Sequence, residues 1–553
     1  LTSINAKRVS AGLLLAGGLS SFAFAPFNQF WLVYLLFPLL ISSCFLATPK
    51  AAVRHAFSFS LGWFGSGISW IFVSLDQYGE VPVAGSIAMI AALAAYLAIY
   101  FTAAIGFSRY LGQYTRFAIF TLPASWVLFE WLRSFVLTGF PWLSIGYSQI
   151  DSPLASLAPY IGEVGISFVL ILLSCLISVA VFPELLTHNK DSAKDEAASD
   201  RRQDVLQNSR LTRRHKTLVA TVFVLLVSWL LPTPEYPNGP KNSKQVKLTL
   251  VQGNVAQENR WDPDYLWPVM LKYQDLSRPL YADSDIVIWP EAAVPAVEPA
   301  AQDYLNNLDK AAAYNNTAVV TGIINYQYYA KAYYNSVIVV GNRDGNPGDS
   351  GHYQYGHNNR YNKHHLLPIG EFIPFEDWLR GVAPIFDLPF SSFTRGDFVQ
   401  PDLVANGFHM TTALCYEIVF PRQIRANLKA DTDFILTLSN DAWFGASHGP
   451  HQHLEIAQMR ALEMGLPVVR VTNNGITAVI NHLGQIQAIA PQFSEQVLQY
   501  ELDLITYPTL YREHGDTIVY WLSLFLLSAC LLPVARQKLC QALNRRKDDN
   551  KIA

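Results

Sequence analysis

Long apolar runs dominate the first 231 residues and then stop. Seven of them, at roughly 11–27, 30–47, 56–75, 81–107, 117–137, 161–182 and 217–231, are followed much later by an eighth at 517–534. A hydrocarbon core about 30 Å thick needs about 20 apolar residues of helix, so the pattern predicts eight transmembrane helices. Between 232 and 516 the period changes. Short β-branched segments at 246–252, 285–289, 318–324, 336–340, 409–414, 434–438, 468–471 and 477–481 lie between Gly, Pro, Asn and Asp. Helical patterns lie near 264–281, 301–315 and 452–465. Alternation of this kind predicts an α/β domain with a largely buried sheet. The expected organisation is a seven-helix membrane domain at 1–231, an α/β domain at 232–516, and an eighth membrane helix with a tail at 517–553.

Charge orients the helices. Lys7 and Arg8 precede the first run, and Lys50, Arg54, Arg109 and Arg116 follow the second and fourth. Residues 184–216 carry eight Lys and Arg, and the segment after 534 carries six. The connections after the first, third and fifth runs hold none. Positive residues stay on the cytoplasmic side, which predicts both termini in the cytoplasm and the α/β domain outside it. Ala23-Phe24-Ala25 imitates a signal-peptide cleavage site, but Pro26 and the prompt start of the second run favour a helical hairpin. The polar, aperiodic stretch 184–216 reads as a flexible loop.

Composition narrows the class. The 553 residues are 51% apolar and only 15% charged, against about 25% charged in average soluble domains. That excludes wholesale disorder. A net charge of −3 gives no field for nucleic acid. Of five cysteines, only Cys415 falls in the external domain. A lone external thiol is either a buried hydrophobe or a kept reactive group.

Its surroundings favour the second reading. Ile286-Val287-Ile288-Trp289-Pro290-Glu291 ends an apolar strand in a carboxylate. Lys363 lies in a loop leading to Glu371, and Ala413-Leu414-Cys415-Tyr416-Glu417 ends another apolar strand in the thiol. Separately these are a cap, a solvated charge and a core residue. Together a base, a cation and a thiol at element ends are the parts needed for nucleophilic acyl transfer.

The ordered set Trp-Pro-Glu, Lys-x-x-Leu-x-Pro-x-Gly-Glu and Cys-Tyr-Glu resembles the nitrilase superfamily. With the flanking membrane runs it is similar to the apolipoprotein N-acyltransferase family, the membrane-embedded branch. Further matching pieces are Gln252-Gly253-Asn254, Arg260-Trp261-Asp262-Pro263, Ser439-Asn440-Asp441-Ala442-Trp443-Phe444, Thr472-Asn473-Asn474-Gly475 and Leu137-Thr138-Gly139-Phe140-Pro141-Trp142. The resemblance implies an αββα sandwich and a catalytic triad of Glu291, Lys363 and Cys415. It also implies transfer of the sn-1 acyl chain of a phospholipid, expected to be phosphatidylethanolamine, through a Cys415 thioester. The acceptor is the amino group of a diacylglyceryl-modified N-terminal cysteine on an apolipoprotein.

Physical roles follow. Lys363 is expected to favour the thiolate and to stabilise the oxyanion with the Tyr416 N–H; Glu291 is expected to move protons. Glu371 and Glu417 are expected to orient Lys363 and the nucleophile loop. Trp142, Trp261, Trp443 and Phe444 are candidates for holding acyl chains or gating entry, and the apolar stretch 382–393 for a lipid-facing lid. Glu130 and Arg133 share a helix face as a pair. His448, His451 and His453 lack the spacing of a zinc site, so no metal or organic cofactor is expected. The protein is expected to act as a monomer in the inner membrane. A tethered amidase and a silent lipoprotein-binding scaffold are the rival readings; eight spans argue against the first and the complete triad against the second.

Overall fold

The computed structural model describes residues 3–111, 117–186, 212, 214–226, 230, 244–260, 262–368, 370–372 and 393–532. The chain divides into two compact units. One comprises Leu1–Ser69, Ile87–Pro232 and Asp516–Ala553, and the other Trp70–Ser86 and Thr233–Gly515.

The first unit is helical, with helices at Ser3–Ser20, Val33–Phe45, Pro49–Gly67, Leu122–Arg133 and Ala158–Val181 and most of Val83–Leu111. Among the described residues two helices, Val83–Leu111 and Pro153–Val181, are long and apolar enough to cross a membrane. A third is added if the bent pair Pro49–Gly67 and Ile71–Tyr78 is one span, and Phe30–Phe45 and Thr517–Leu532 are shorter apolar helices. Among the described residues this is fewer than the eight expected from hydropathy. The run at 117–137 carries Glu130 and Arg133, and its α-helix ends at Arg133. Leu137 and Gly139 then take positive φ and turn the chain. The run at 11–27 begins inside the helix Ser3–Ser20 and continues into a short 3-10 turn. The run at 217–231 lies partly outside the described residues.

Glycines let two helices of this unit approach closely. A Cβ on Gly17 would collide with the Phe59 carbonyl, and one on Gly62 with the Leu14 carbonyl. Helices Ser3–Ser20 and Pro49–Gly67 therefore touch backbone to backbone, where dispersion and weak Cα–H contacts replace the hydrophobic drive that lipid cannot supply. Buried Arg133 adds a polar tie, donating to Glu130 at 3.1 Å and to the carbonyls of Phe140 at 2.6 Å and Trp142 at 2.7 Å. The pair on one helix face also pins the connection that follows it.

Among its described residues the second unit has thirteen strands. β1 (Gln245–Gln252), β2 (Ile286–Ile288), β4 (Ala318–Gln327), β5 (Ala332–Gly341), β6 (Arg360–Asn362) and β13 (Gln496–Asp503) form one sheet in the order β13-β1-β2-β4-β5-β6, with β3 (Val294–Val297) paired to β4. β7 (Leu403–Ala405), β8 (Phe408–Leu414), β9 (Phe434–Ser439), β10 (Val468–Thr472), β11 (Thr477–Ile480) and β12 (Ile486–Ala490) run in the order β12-β11-β10-β9-β8-β7. Alternate residues decide the layers. Val246, Leu248, Leu250, Ile286, Ile288, Val337 and Val339 face Met410, Leu414, Leu436, Leu438, Val469 and Val471 of the other sheet in one core. The intervening Val251, Val287, Trp289, Val319, Ile338 and Val340 pack on helices Leu266–Ser277 and Gln302–Tyr314. Helices Pro421–Asn427 and Gly449–Met464 belong to the second sheet's layer. This is the αββα sandwich expected from the resemblance, and all eight anticipated strands are present.

A larger side chain at Gly17 should separate its helix from Pro49–Gly67. Gly17→Leu is expected to destabilise the detergent-solubilised protein by about 1–3 kcal/mol, the usual cost of overpacking. Gly12 on the same helix has nothing within 4 Å of its Cβ position. Gly12→Leu should leave the melting temperature unchanged, and equal losses from both variants would refute the close packing.

Candidate active site

Three strand ends meet in the second unit. Glu291 lies in the turn after β2 and is 8% exposed; Lys363 directly follows β6 and is 1% exposed. Cys415 directly follows β8 and opens a 3-10 turn, Cys415–Val419. Both turns are strained. Ala292, next to Glu291, has φ +45°, and Cys415 itself has φ +54°. Left-handed backbone costs an ordinary residue roughly 1–2 kcal/mol, and here it lifts a nucleophile off a strand end at a sharp elbow. Gly322 of β4 makes room for the other turn, since a Cβ there would lie 2.7 Å from the Glu291 Cα.

Lys363 sits between two carboxylates. Its Nζ is 2.9 Å from Glu371 and 3.5 Å from Glu291. Asn335 of β5 holds the set together. Its side-chain amide donates to Glu291 Oε1 and Glu371 Oε1, both at 2.8 Å, and its carbonyl accepts the Lys363 N–H at 2.8 Å. The second Glu291 oxygen accepts the Asn440 N–H at 2.9 Å. Arg260 donates to the Glu291 main-chain carbonyl.

Glu417 is buried and accepts five hydrogen bonds, from the N–H groups of Leu414, His364 and His365, the Tyr361 hydroxyl and the Gln423 amide, at 2.8 to 3.0 Å. It thus ties the residue before Cys415 to the two residues after Lys363. Tyr416 is buried and meets Phe420 edge-on.

Burial and neighbouring charge set the protonation states. Burial works against the Lys363 ammonium, but Glu371 and Glu291 outweigh it and hold the amine charged well above its ordinary range. Burial would raise the Glu291 carboxyl, yet Lys363, Arg260 and its hydrogen bonds hold it below the usual range, so it is a carboxylate. Burial, then repulsion from Glu291, push the Cys415 thiol up to about 12 against the pull of Lys363. Lys363 does pull toward the thiolate, but burial and Glu291 outweigh it. The cation is present, but two carboxylates already claim it, and the resting nucleophile is a thiol beside an ionised base.

Trp443 and Phe444 follow β9. Trp443 meets Tyr78 edge-on at 5.4 Å and its carbonyl accepts from Ser74, while Phe444 meets Trp70 at 4.6 Å. Trp142 is buried in the first unit. Trp261 and nearly all of 382–393 lie outside the described residues. His453, one of three histidines weighed for a metal, instead lies beside Asp441 and Arg470 and contacts the Cys415 carbonyl. Asn335, Arg260, Ser439 and His453 went unassigned in the sequence. Arg260 and Ser439 stood in matching motif pieces and His453 among the histidines, but none had a role assigned, and Asn335 lay just outside the expected strand 336–340.

Residues 16–176 match the family described as the apolipoprotein N-acyltransferase N-terminal domain, and residues 247–510 match the carbon-nitrogen hydrolase family. The chain is 42% identical over 526 residues to an apolipoprotein N-acyltransferase of Photobacterium profundum, covering 94% of each. It is 41% identical over 548 residues to that of Shewanella oneidensis, covering 97% of each. To that of Vibrio vulnificus it is 44% identical over 520 residues, covering 93% of this chain and 95% of the relative. The alignments span the helical region as well as the sandwich, and the chain belongs to the apolipoprotein N-acyltransferase family.

Proposed function

We propose that Cys415, Glu291 and Lys363 carry out a two-step acyl transfer from a phospholipid to an apolipoprotein. The carrying observation is the buried Glu291–Lys363–Glu371 cluster held beside the strand-end elbow of Cys415. In the first step the Cys415 thiol attacks the sn-1 ester carbonyl of phosphatidylethanolamine while Glu291 takes its proton. Lys363 and the Tyr416 N–H face the oxyanion. The intermediate collapses, Glu291 returns the proton to the glycerol oxygen, and lysophospholipid leaves a thioester. In the second step the α-amine of the diacylglyceryl cysteine attacks the thioester. Glu291 accepts the amine proton and the sulfur leaves and is reprotonated. The net change is one ester broken and one amide formed, with no cofactor required.

Two bulky lipid-bearing substrates favour this division, because one site serves each in turn. Glu371 and Glu417 are assigned to holding Lys363 and the nucleophile loop. Trp142, Trp261, Trp443 and Phe444 remain the candidates for acyl-chain contact, and 382–393 for a lid. Eight spans, both termini in the cytoplasm, a periplasmic domain 232–516, an inner-membrane location and a monomeric state complete the proposal. The Lys and Arg asymmetry supports the orientation.

The thioester can be trapped. Incubation with phosphatidylethanolamine and no acceptor should add one acyl group by intact mass, removable by hydroxylamine and discharged by a lipopeptide amine. Cys415→Ala should show neither adduct nor transfer, and Cys415→Ser should turn over poorly. Full transfer by Cys415→Ala would end this mechanism, and steady release of free fatty acid would mark a hydrolase.

A thiol pushed up to about 12 leaves about one molecule in 10⁵ ionised at pH 7. Alkylation of Cys415 by iodoacetamide should therefore rise about tenfold per pH unit from 7 to 10. Glu291→Gln removes the repelling charge, so it should alkylate about tenfold faster at pH 8 while acyl transfer falls by about 10²-fold or more. A slower alkylation rate in that variant would show that Glu291 does not face the thiol.

Lys363→Ala leaves Glu291 and Glu371 buried without their shared cation, and one should take up a proton. Acylation is expected to vanish. Lys363→Arg should restore little, since a planar guanidinium does not fill the place of a compact ammonium. Near-normal acylation by the arginine variant would show that diffuse positive charge is enough.

A further inference from the structure

The turn that ends β9 touches both the base and the nucleophile, and the acyl-transfer scheme gives it no task. Ser439 Oγ lies 3.3 Å from Cys415 Sγ and 2.6 Å from Asp441 Oδ1. Asn440 gives its N–H to Glu291, and its side chain is held by Gln257 and Asn473. Asp441 is fully buried and paired with Arg470 at 2.5 Å. The same Arg470 nitrogen lies 3.1 Å from His453 Nδ1. A guanidinium can only donate, so Nδ1 accepts and Nε2 carries the histidine proton. That Nε2–H points at the Cys415 carbonyl, 3.1 Å away.

A serine hydroxyl has one proton. A carboxylate at 2.6 Å is a far better acceptor than a sulfur at 3.3 Å, and Arg470 keeps Asp441 ionised, with its carboxyl held well below the usual range despite burial. The Ser439 proton therefore belongs to Asp441. The hydrogen left for the longer contact is the S–H of Cys415, donated to a lone pair of Ser439.

We propose that Ser439, locked by the Asp441–Arg470 pair, is a positioning residue that accepts the Cys415 S–H and holds the sulfur in one rotamer until the acyl donor arrives. His453 fixes the other end of the residue by its carbonyl, which steadies the left-handed elbow. The groups facing the sulfur are then Glu291, Lys363, Arg260 and Asp441, with neutral His453 behind it. Attack breaks the S–H bond and forms an O–H bond on Glu291, so the thiol must let go of Ser439 as the donor binds. This assignment rests on the thioester reading for its role in turnover.

Ser439→Ala separates positioning from general damage, because its two readouts move in opposite directions. Losing an acceptor that favours the neutral thiol should shift the iodoacetamide profile of Cys415 down by about one pH unit, speeding alkylation about tenfold at pH 8. Losing the fixed rotamer should slow acylation by phosphatidylethanolamine by about tenfold. Discharge of the preformed thioester by a lipopeptide amine should stay within about twofold, because no S–H is left to hold. Ser439→Thr keeps the hydroxyl and should return both readouts to within about threefold of wild type. An unchanged or slower alkylation profile in Ser439→Ala, or equal losses in both half-reactions, would overturn the proposal. The alkylation arm needs no acyl donor. If no variant, wild type included, forms an acyl adduct while the alkylation shift is seen, the thioester reading fails and the hydrogen bond stands.

Discussion

A lysine ammonium buried between two carboxylates is the interaction on which this site depends. Moving one such ion out of water costs several kcal/mol, and three close charges are tolerated only when each is paired and hydrogen-bonded. Here Asn335 supplies both missing donors from one amide, to Glu291 and to Glu371, and its carbonyl fixes the lysine main chain. The cluster is rigid because no member has a second place to go. The same rigidity suits a site that must present charge without reorganising as the reaction proceeds.

Counting charge explains the state of the nucleophile. Glu291 and Glu371 are balanced by Lys363 and Arg260, and a thiol adds nothing. A thiolate would leave the buried cluster with one excess negative charge, and the upward push on Cys415 expresses that cost. Moving the thiol proton to Glu291 during attack keeps the balance unchanged, and the new negative charge then forms on the substrate oxygen. An arrangement of this kind stores no reactive thiolate in the absence of acyl donor, so adventitious electrophiles meet a poor nucleophile.

The buried strands were legible because each is a short apolar run bounded by turn residues. β12 and β13 were not, because most of their residues are exposed or half-exposed and mix apolar with polar types. β3, β6 and β7 are three or four residues long and carry too little pattern to register. Glu291, Lys363 and Cys415 stood out as polar or reactive residues at the ends of apolar segments. The network around Asp441 did not, since Gln257, Glu291, Cys415, His453, Arg470 and Asn473 are brought together only by the fold. Hydropathy predicts eight membrane helices, of which the described residues supply two or three long and apolar enough to cross a membrane, since apolarity alone does not say where a helix starts or stops.

The two halves of the site come from different sheets. Glu291, Asn335 and Lys363 belong to the β13-to-β6 sheet, while Cys415, Ser439 and Arg470 belong to the β12-to-β7 sheet. Base and nucleophile are therefore set relative to one another by the side chains between the sheets, and by bridges across them that include Glu417 to the Lys363 loop and Asn440 to Glu291. Core interiors are packed as densely as organic crystals, so the sheets have little freedom to slide. A misplacement of about 1 Å can cost about 10²-fold in rate. The apolar layer of Leu250, Ile288, Leu414, Leu438 and Val471 thus does more than hold the domain together. It sets the distance over which the thiol proton must travel, and the polar bridges at its edge keep that distance from drifting.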